Sequence, residues 1–499
     1  MKITIVGGGT IGWLTAFILS KKSPFHTYTV IESSKHPIIG VGESLTGLMT
    51  DVFLDPEFQL NELEFLKKTW SLPKYGINFK NWQNKKESIW SPIEGSFTQD
   101  KNFDEMFYYC IKENIEKYSS YSGLIHNSKK VPFYEKEGKL VFPNNRSYSY
   151  HVDAYKFSEF FKEKSPNVTI LDKSISDIEV EGNTIKKLIF DDGETHEAAF
   201  FIDASGFSKV LMSKLDAYEI DYSLSLPRKS ALIFKPKNEI GEKTYCTNAI
   251  ARDYGWQFEI PTRHKIGRGY VYSTDFVKKE HVINELERDY GDIEEIKTIH
   301  SNTTQLENSW IGNCLSLGLS ASFIEPLQAS SLHIAHSSLE YFYMNCLGQN
   351  IQETCNSVVR KNYNDYVFNF NEHAIDFVHA TYLTGRKDTD FWKFMNEVSN
   401  KSDKLNEIIN LTKHRLSRST DFEKYLHHVG QSNWNYTLQI MNIIDKEKIK
   451  RIFETLKIDE HNLHQMYVNN KSNYYINGIN NNYMTIEELN EYLKDDKNG

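Results

Sequence analysis

The sequence predicts an α/β fold entered through a nucleotide-binding, Rossmann-type lobe, and three stretches predict it. Residues 3–6, ITIV, read as a short buried strand, Gly7, Gly9 and Gly12 follow in G-x-G-x-x-G spacing, and WLTAFILS opens a helix. Glycines so placed serve a tight turn, close approach to a pyrophosphate and close helix packing, and the helix start, from Thr10 and Ile11 onward, offers its amides to phosphate. A second strand, TYTVIES, reaches Glu32 about 20 residues later, where a carboxylate can hold ribose hydroxyls. Farther on, AAFFIDASGF carries an apolar strand into Asp203, Ala204, Ser205 and Gly206, the form of a second contact to a flavin dinucleotide that a plain NAD dehydrogenase does not need. The expectation is an FAD-binding lobe, its opening stretch closing on Gly40, Val41, Gly42, Glu43 and Ser44 of IIGVGES.

The remaining elements follow in order. Apolar spacings of three and four in LTGLMTDVF and LNELEFLKKTW predict helix over 45–70. SLPKYGINFKNW reads as a proline-marked turn into a strand alternating Tyr75, Ile77 and Phe79, and 85–145 reads as an irregular, polar and aromatic insertion carrying substrate-facing loops. YSYHVDAYKFSEFFKEK resumes a helix, and the next stretch gives strands about a turn at Gly182 and Asn183. Residues 230–300, with GWQFEIP and GRGYVYS, predict a β-sheet over a pocket. SWIGNCLSLGLSASFIEPLQASSLHIAHSSLEYFY reads as strand, small-residue turn and long helix, and the pattern is helical from 336 to a frayed DDKNG tail. The division expected is 1–335, FAD and β-sheet module, and 336–499, a mainly helical substrate-covering lobe.

Composition narrows the function without choosing it. The chain has 499 residues, enough for more than one lobe, and a net charge of -9, which argues against nucleic acid as a partner. Its five cysteines lack C-x-x-C spacing, which predicts a reducing compartment, no disulfide framework and no structural zinc. Lys2 precedes an apolar run, but glycines break it and no small-residue cleavage site follows. No run reaches membrane-span length, so the expectation is a soluble, cytoplasmic protein. His333, His336, His379, His427 and His428 form no convincing ligand set and read as core or solvated histidines, with no metal.

Taken together, GGGTIGW with GVGES, PKYGINF, GWQFEIP with GRGYVYS, GNCLSLGLSASFIEPL and HATYLTGRKDTDFW resemble the flavin-dependent tryptophan halogenase family, in order, from residue 3 to about 440. The chain resembles a divergent member, and its Asn-rich and Lys-rich composition faintly suggests a viral source, which would make the location a host cytoplasm. The resemblance implies FADH2 from a separate NAD(P)H-dependent flavin reductase, oxygen, a halide (chloride, bromide or iodide), and hypohalous acid that crosses a tunnel to a lysine. That lysine delivers electrophilic halogen to a small aromatic substrate, remote from the flavin.

Residue by residue, Lys74 holds the family's lysine position, and a partly buried lysine suits the task because its amine can donate to hypohalous acid or accept halogen. Glu325, Pro326 and Leu327 continue the family's E-P-L. Members acting on free tryptophan then have Glu, Ser, Thr and Gly, whereas this chain has Gln328, Ala329, Ser330 and Ser331. Gln328 is expected to line the site without acting as acid or base, leaving Glu325 or another carboxylate as a substitute. The amides of Ser330 and Ser331 form a halide nest in this reading, with Ser331 disfavouring the left-handed backbone that glycine permits. Serine capping of a helix is the plainer alternative. Trp256, Phe258 and Pro261 correspond to an aromatic wall between flavin and substrate, although core aromatics in a buried strand read the same way.

RLSRSTDFEKYLHHVGQS, before Asn433 and Trp434, lacks the tyrosine pair of tryptophan-grasping members, so a phenol or indole is expected in place of free tryptophan. Two other readings stay open: an aromatic hydroxylase on the same scaffold, which does not need Lys74, and a non-catalytic flavin-binding relative. A homo-oligomer is compatible with either.

Overall fold

The computed structural model describes residues 1–35, 42–47, 52–53, 55–83, 88–93, 103–113, 120–143, 148–239, 241, 243–422, 429–455 and 457–494. Its first layer is a six-stranded sheet ordered Thr169–Asp172, Thr27–Glu32, Lys2–Val6, Phe200–Asp203, Cys314–Ser316, Trp310–Ile311. The first four junctions are parallel, and only the Trp310–Ile311 edge runs antiparallel. Register matches Val6 to Asp203 and Asp203 to Ser316, so several strands end together. The carboxyl edge of such a sheet is where a nucleotide binds. Helix Thr10–Lys22 buries Trp13, Leu14, Phe17, Ile18 and Leu19, and packs on helix Ala154–Glu163. Burial on nearly every face explains why its apolar pattern is continuous.

The second layer is a seven-stranded sheet ordered Ile293–His300, Ser230–Pro236, Ile266–Tyr272, Gly255–Pro261, Cys246–Arg252, Gly76–Lys80, Ser88–Pro92. It is antiparallel except where Cys246–Arg252 runs parallel to Gly76–Lys80. In a separate three-stranded sheet, Ser149–Val152 pairs antiparallel with Glu43–Ser44 on one side and Leu72–Lys74 on the other. This small sheet links the GVGES segment to the Lys74 segment.

Four expectations change. Of the helix expected over 45–70, the described residues keep Glu62–Lys68 and a helical Val52 and Phe53, whereas Leu45, Thr46 and Gly47 continue out of a strand. Leu72–Lys74 is strand, Pro73 included, at an edge that has no partner for its missing N–H. The described residues of the stretch 85–145 are largely regular: they supply edge strand Ser88–Pro92, helices Phe103–Glu113 and Tyr121–Ser128, and hairpin Tyr134–Lys136 with Lys139–Val141. Strand-reading of 230–300 missed helix Lys279–Tyr290, whose Val282 and Leu286 bury one side at a spacing of four.

After 323 the described chain is helical, from Ser330–Asn345 through Ser357–Thr381 to Ile486–Lys494. One apolar cluster joins Ile3, Phe17 and Phe200 to Tyr474, Leu489 and Leu493, and a second joins Phe79 and Trp256 to Phe377 and Trp434. Both clusters cross residue 336, and helix Ser330–Asn345 spans it.

Candidate active site

The glycine turn fits a dinucleotide. Gly7 has φ 118°, and a Cβ on Gly12 would stand 1.8 Å from the Gly7 carbonyl oxygen, so neither position accepts a side chain. Gly9 precedes helix Thr10–Lys22, which has no side-chain cap and no acidic residue in its first turn; Thr10 and Ile11 open it, leaving its positive end suited to phosphate. Glu32 ends the second strand as expected, with Oε2 accepting from Trp13 Nε1 at 3.0 Å and Oε1 paired with Lys162 at 2.6 Å. Those two partners fix the carboxylate beside the glycine turn.

Asp203 requires a correction, because it is 0 % exposed and its oxygens serve protein donors. Oδ1 accepts from Ser205 N, Ser205 Oγ and Ser320 Oγ, and Oδ2 from Leu211 N and Met212 N. Its part is to fix the Ala204–Gly206 turn, whose backbone lies against Gly7, where a Cβ would stand 2.3 Å from Ala204 O. Gly206 carries φ 70° in that turn, and its carbonyl accepts from Ser320 Oγ.

The GVGES segment continues the site. Gly40 and Val41 lie outside the described residues. Gly42 adopts φ 107° with Ile260 at its back. Glu43 remains partly accessible although protein surrounds it, and burial pushes its carboxyl up to about 7. Ser44 Oγ and Thr247 Oγ1 share a 3.0 Å hydrogen bond, and Thr247 Oγ1 also meets His151 Nε2 at 2.9 Å. Burial, and secondarily the charge of Lys74, hold His151 well below 6.5.

One residue farther on, at Leu45, the same segment meets Lys74. Lys74 is 2 % exposed and donates from Nζ to Leu45 O at 3.1 Å. Burial brings its pKa down from 10.5 to about 7, which leaves a large neutral fraction near neutrality. The next glycine fixes its approach to the large sheet: a Cβ on Gly76 would meet Ser91 O at 2.3 Å and the Trp90 ring at 2.6 Å. Lys74 opens on a cavity of about 270 Å³ whose other walls include Gln328, His333, Phe377, Asn433 and Thr437. Lys74 and Gln328 are thus brought together as expected, and Gln328 Nε2 donates to Thr381 Oγ1 at 3.0 Å.

Glu325 is placed elsewhere. It does not line the Lys74 cavity, and it is enclosed at 1 % exposure with Oε1 accepting from Trp256 Nε1 at 3.1 Å and from the Tyr382 hydroxyl. Burial raises its pKa to about 7 against the lowering pull of Tyr382 and the nearby Arg228 guanidinium. It therefore does not substitute for a carboxylate beside Lys74. Trp256, Phe258 and Pro261 belong to the fully buried central strand Gly255–Pro261, with Trp256 held by Glu325.

The turn before helix Ser330–Asn345 also departs from expectation. The left-handed residue is Ala329, at φ 56° and ψ 33°, so Ser331 sits in regular helix and glycine is not required there. No side chain caps the helix, which removes the serine-cap alternative, and no acidic residue stands in its first turn. Ser331 Oγ instead donates to Ile324 O at 3.3 Å. An uncapped helix start of this kind suits an anion at the Ser330 and Ser331 amides.

Sequence reading passed over Thr46, Thr381, Tyr382 and Arg228, which gain their roles only through contacts with distant segments. His333, three residues after Ser330 in helix Ser330–Asn345, lies on the same helix face. His336 and His379 are buried, and burial lowers both to about 4. His427 and His428 lie outside the described residues. Among the described residues, no group of three His, Cys, Asp or Glu could hold a metal ion, and no helix is long and apolar enough to cross a membrane.

Comparison with known proteins agrees with this geometry. The tryptophan halogenase family model matches residues 2–457. The chain is 27% identical over 431 residues to the tryptophan 7-halogenase of Kutzneria sp. (strain 744), covering 79% of this chain and 78% of that one. It is also 27% identical over 431 residues to the tryptophan 6-halogenase of Streptomyces toxytricini, covering 79% and 80%. Among solved structures, the tryptophan halogenase from Shewanella frigidimarina superposes with a TM-score of 0.84 at 22% identity, over 99% of this chain and 98% of that one. With the family model spanning both the glycine turn and the Lys74 cavity, the chain belongs to the tryptophan halogenase family, enzymes that use FADH2 and halide.

Proposed function

We propose that this protein halogenates an electron-rich phenol or indole other than free tryptophan, with Lys74 delivering the halogen. The carrying observation is a buried lysine, with its pKa at about 7, at the wall of a cavity of about 270 Å³. Bound FADH2 supplies, with oxygen, the oxidising power that turns halide into hypohalous acid. The residues that would hold the flavin are Gly7, Gly9, Thr10, Ile11, Gly12, Glu32, Gly42, Glu43 and Ser44, with the turn fixed by Asp203. Ser330 and Ser331 would hold halide, and the strand bearing Trp256, Phe258 and Pro261 would wall the flavin from the arene. Lys74 orients the hypohalous acid by donating a proton to its oxygen as halogen passes to the ring.

The substrate reading rests on what lines the cavity. Among its described residues there is no carboxylate to meet an ammonium and no arginine to meet a carboxylate, so a zwitterionic amino acid lacks ionic partners. A neutral arene fits better, between Phe377 and the amides of Gln328 and Asn433. A separate flavin reductase supplies FADH2 in this reading, and the location is cytoplasmic.

Mass spectrometry on aerobic reactions with FAD, reductase, NADH and each halide tests it against a panel of phenols, indoles and free tryptophan. Halogenated phenol or indole that disappears in Lys74→Ala, with flavin oxidation intact, is the expected result. Oxygenated product would overturn the reading in favour of a hydroxylase, and free tryptophan as the best substrate would overturn the substrate class.

A further inference from the structure

The Lys74 cavity contains a second basic group. Among its described lining residues, only Lys74 and His333 titrate. Both are held by one dipeptide: Leu45 O accepts from Lys74 Nζ at 3.1 Å, and Thr46 Oγ1 shares a 2.8 Å hydrogen bond with His333 Nδ1. Thr46 is itself fixed, since its carbonyl accepts from Ser149 Oγ at 2.6 Å, opposite Lys74 in the small sheet. Phe370 stacks on the imidazole, with ring centroids 5.9 Å apart and 18° between planes. Gln328, a neutral amide tied to Thr381, cannot receive a proton from a substrate. Glu325 stands outside the cavity.

On the proposed halogenase reading, on which this inference rests, we propose that His333 takes the ring proton released during halogenation and returns it to Lys74. The steps balance. Lys74 as ammonium gives a proton to the oxygen of hypohalous acid while the ring's π pair bonds to the halogen; the oxygen–halogen bond breaks and water leaves. The ring is now a cation bearing both hydrogen and halogen on one carbon. In the tautomer whose Nδ1–H donates to Thr46, the Nε2 lone pair of His333 takes that hydrogen as a proton, and the C–H electrons restore the aromatic ring. The imidazolium then protonates the Lys74 amine. Net, an arene and hypohalous acid become a haloarene and water, and both side chains return to their starting states.

The ordering of the two bases favours this direction. Burial holds His333 at about 3, so it starts neutral, and Lys74 at about 7, so the amine is the stronger base and receives the proton last. A carboxylate in the same cavity would instead keep a charge beside the ammonium.

The test compares an arene carrying deuterium at the halogenated carbon with its protonated form, in wild type, His333→Gln and His333→Ala. Wild type is expected to show no primary isotope effect, because attack by halogen limits the rate. His333→Gln is expected to lose about a hundredfold in kcat and to acquire a primary isotope effect, as deprotonation becomes limiting. His333→Ala is expected to recover turnover with added imidazole and to lose the isotope effect again. Wild-type kcat without an isotope effect in both variants overturns the proposal, and so does a change confined to KM, which would leave His333 a positioning residue. Absence of haloarene from wild type itself overturns the halogenase reading, and this proposal with it.

Discussion

At the scale of single residues, burial does most of the chemical tuning. Lys74 and Glu325 are shifted in opposite directions to about the same value, one an amine brought down and the other a carboxyl brought up, because both lose the water that stabilises charge. Glu325 gives a test whose sign can be worked out. Its folded pKa, about 7, exceeds the ordinary carboxyl value of 4.5, so between those values the folded state holds a proton that the unfolded chain releases. Stability from this group is full below about 4.5 and falls as pH rises toward 7. Glu325→Gln keeps the shape and cannot ionise, so it should gain about 2 kcal/mol relative to wild type between pH 5 and pH 8, read by urea unfolding at both values. A constant difference would contradict the assignment. Nothing in the local sequence revealed Glu325's partners, since Trp256 and Tyr382 are contributed by a distant strand and by the end of a helix.

At the scale of elements, the glycine turn was legible because its demands are local: a strand, three glycines and a helix follow one another without interruption. Gly12→Ala should abolish FAD binding in a fluorescence titration, since its methyl would stand against the Gly7 carbonyl; retained binding would mean that the turn relaxes freely. The AAFFIDASGF strand was equally legible, but the target of Asp203 was not, because three of its five donors come from residues after the strand's own turn, Leu211, Met212 and Ser320. Stretch 85–145 misled for a related reason. Its strand Ser88–Pro92 is short, and the partners that stabilise it, strand Gly76–Lys80 and the His126 ring stacked on Trp90, lie outside the strand itself. The turn before helix Ser330–Asn345 shows the converse: a serine at 331 leaves the backbone unstrained, because the left-handed step falls two residues earlier, at Ala329.

At the scale of the whole molecule, the last helix and the first strand share a core. Leu489 is 0 % exposed in the same cluster as Ile3 and Phe17, Val131 bridges to a backbone position at Met484, and Arg263 donates to Leu493 O at 3.2 Å. Leu489→Ala should therefore cost about 3 kcal/mol and lower the midpoints of flavin release and helix melting together. Two separated transitions would show that the helical part melts independently. The division expected at 336 falls inside helix Ser330–Asn345, and apolar pattern alone could not show which helix faces complete which cluster.

The parallel pairing of Gly76–Lys80 with Cys246–Arg252 joins chain segments some 170 residues apart, the separation seen in the Asn78–Asn248 contact. A ribosome emits the first of these strands long before the second exists, and pairing so remote in sequence forms slowly. Until that strand arrives, Lys74 has no closed sheet beside it and keeps the basicity of an ordinary solvated lysine. The lowered basicity of Lys74 is thus a property of the finished fold and is absent from the nascent chain.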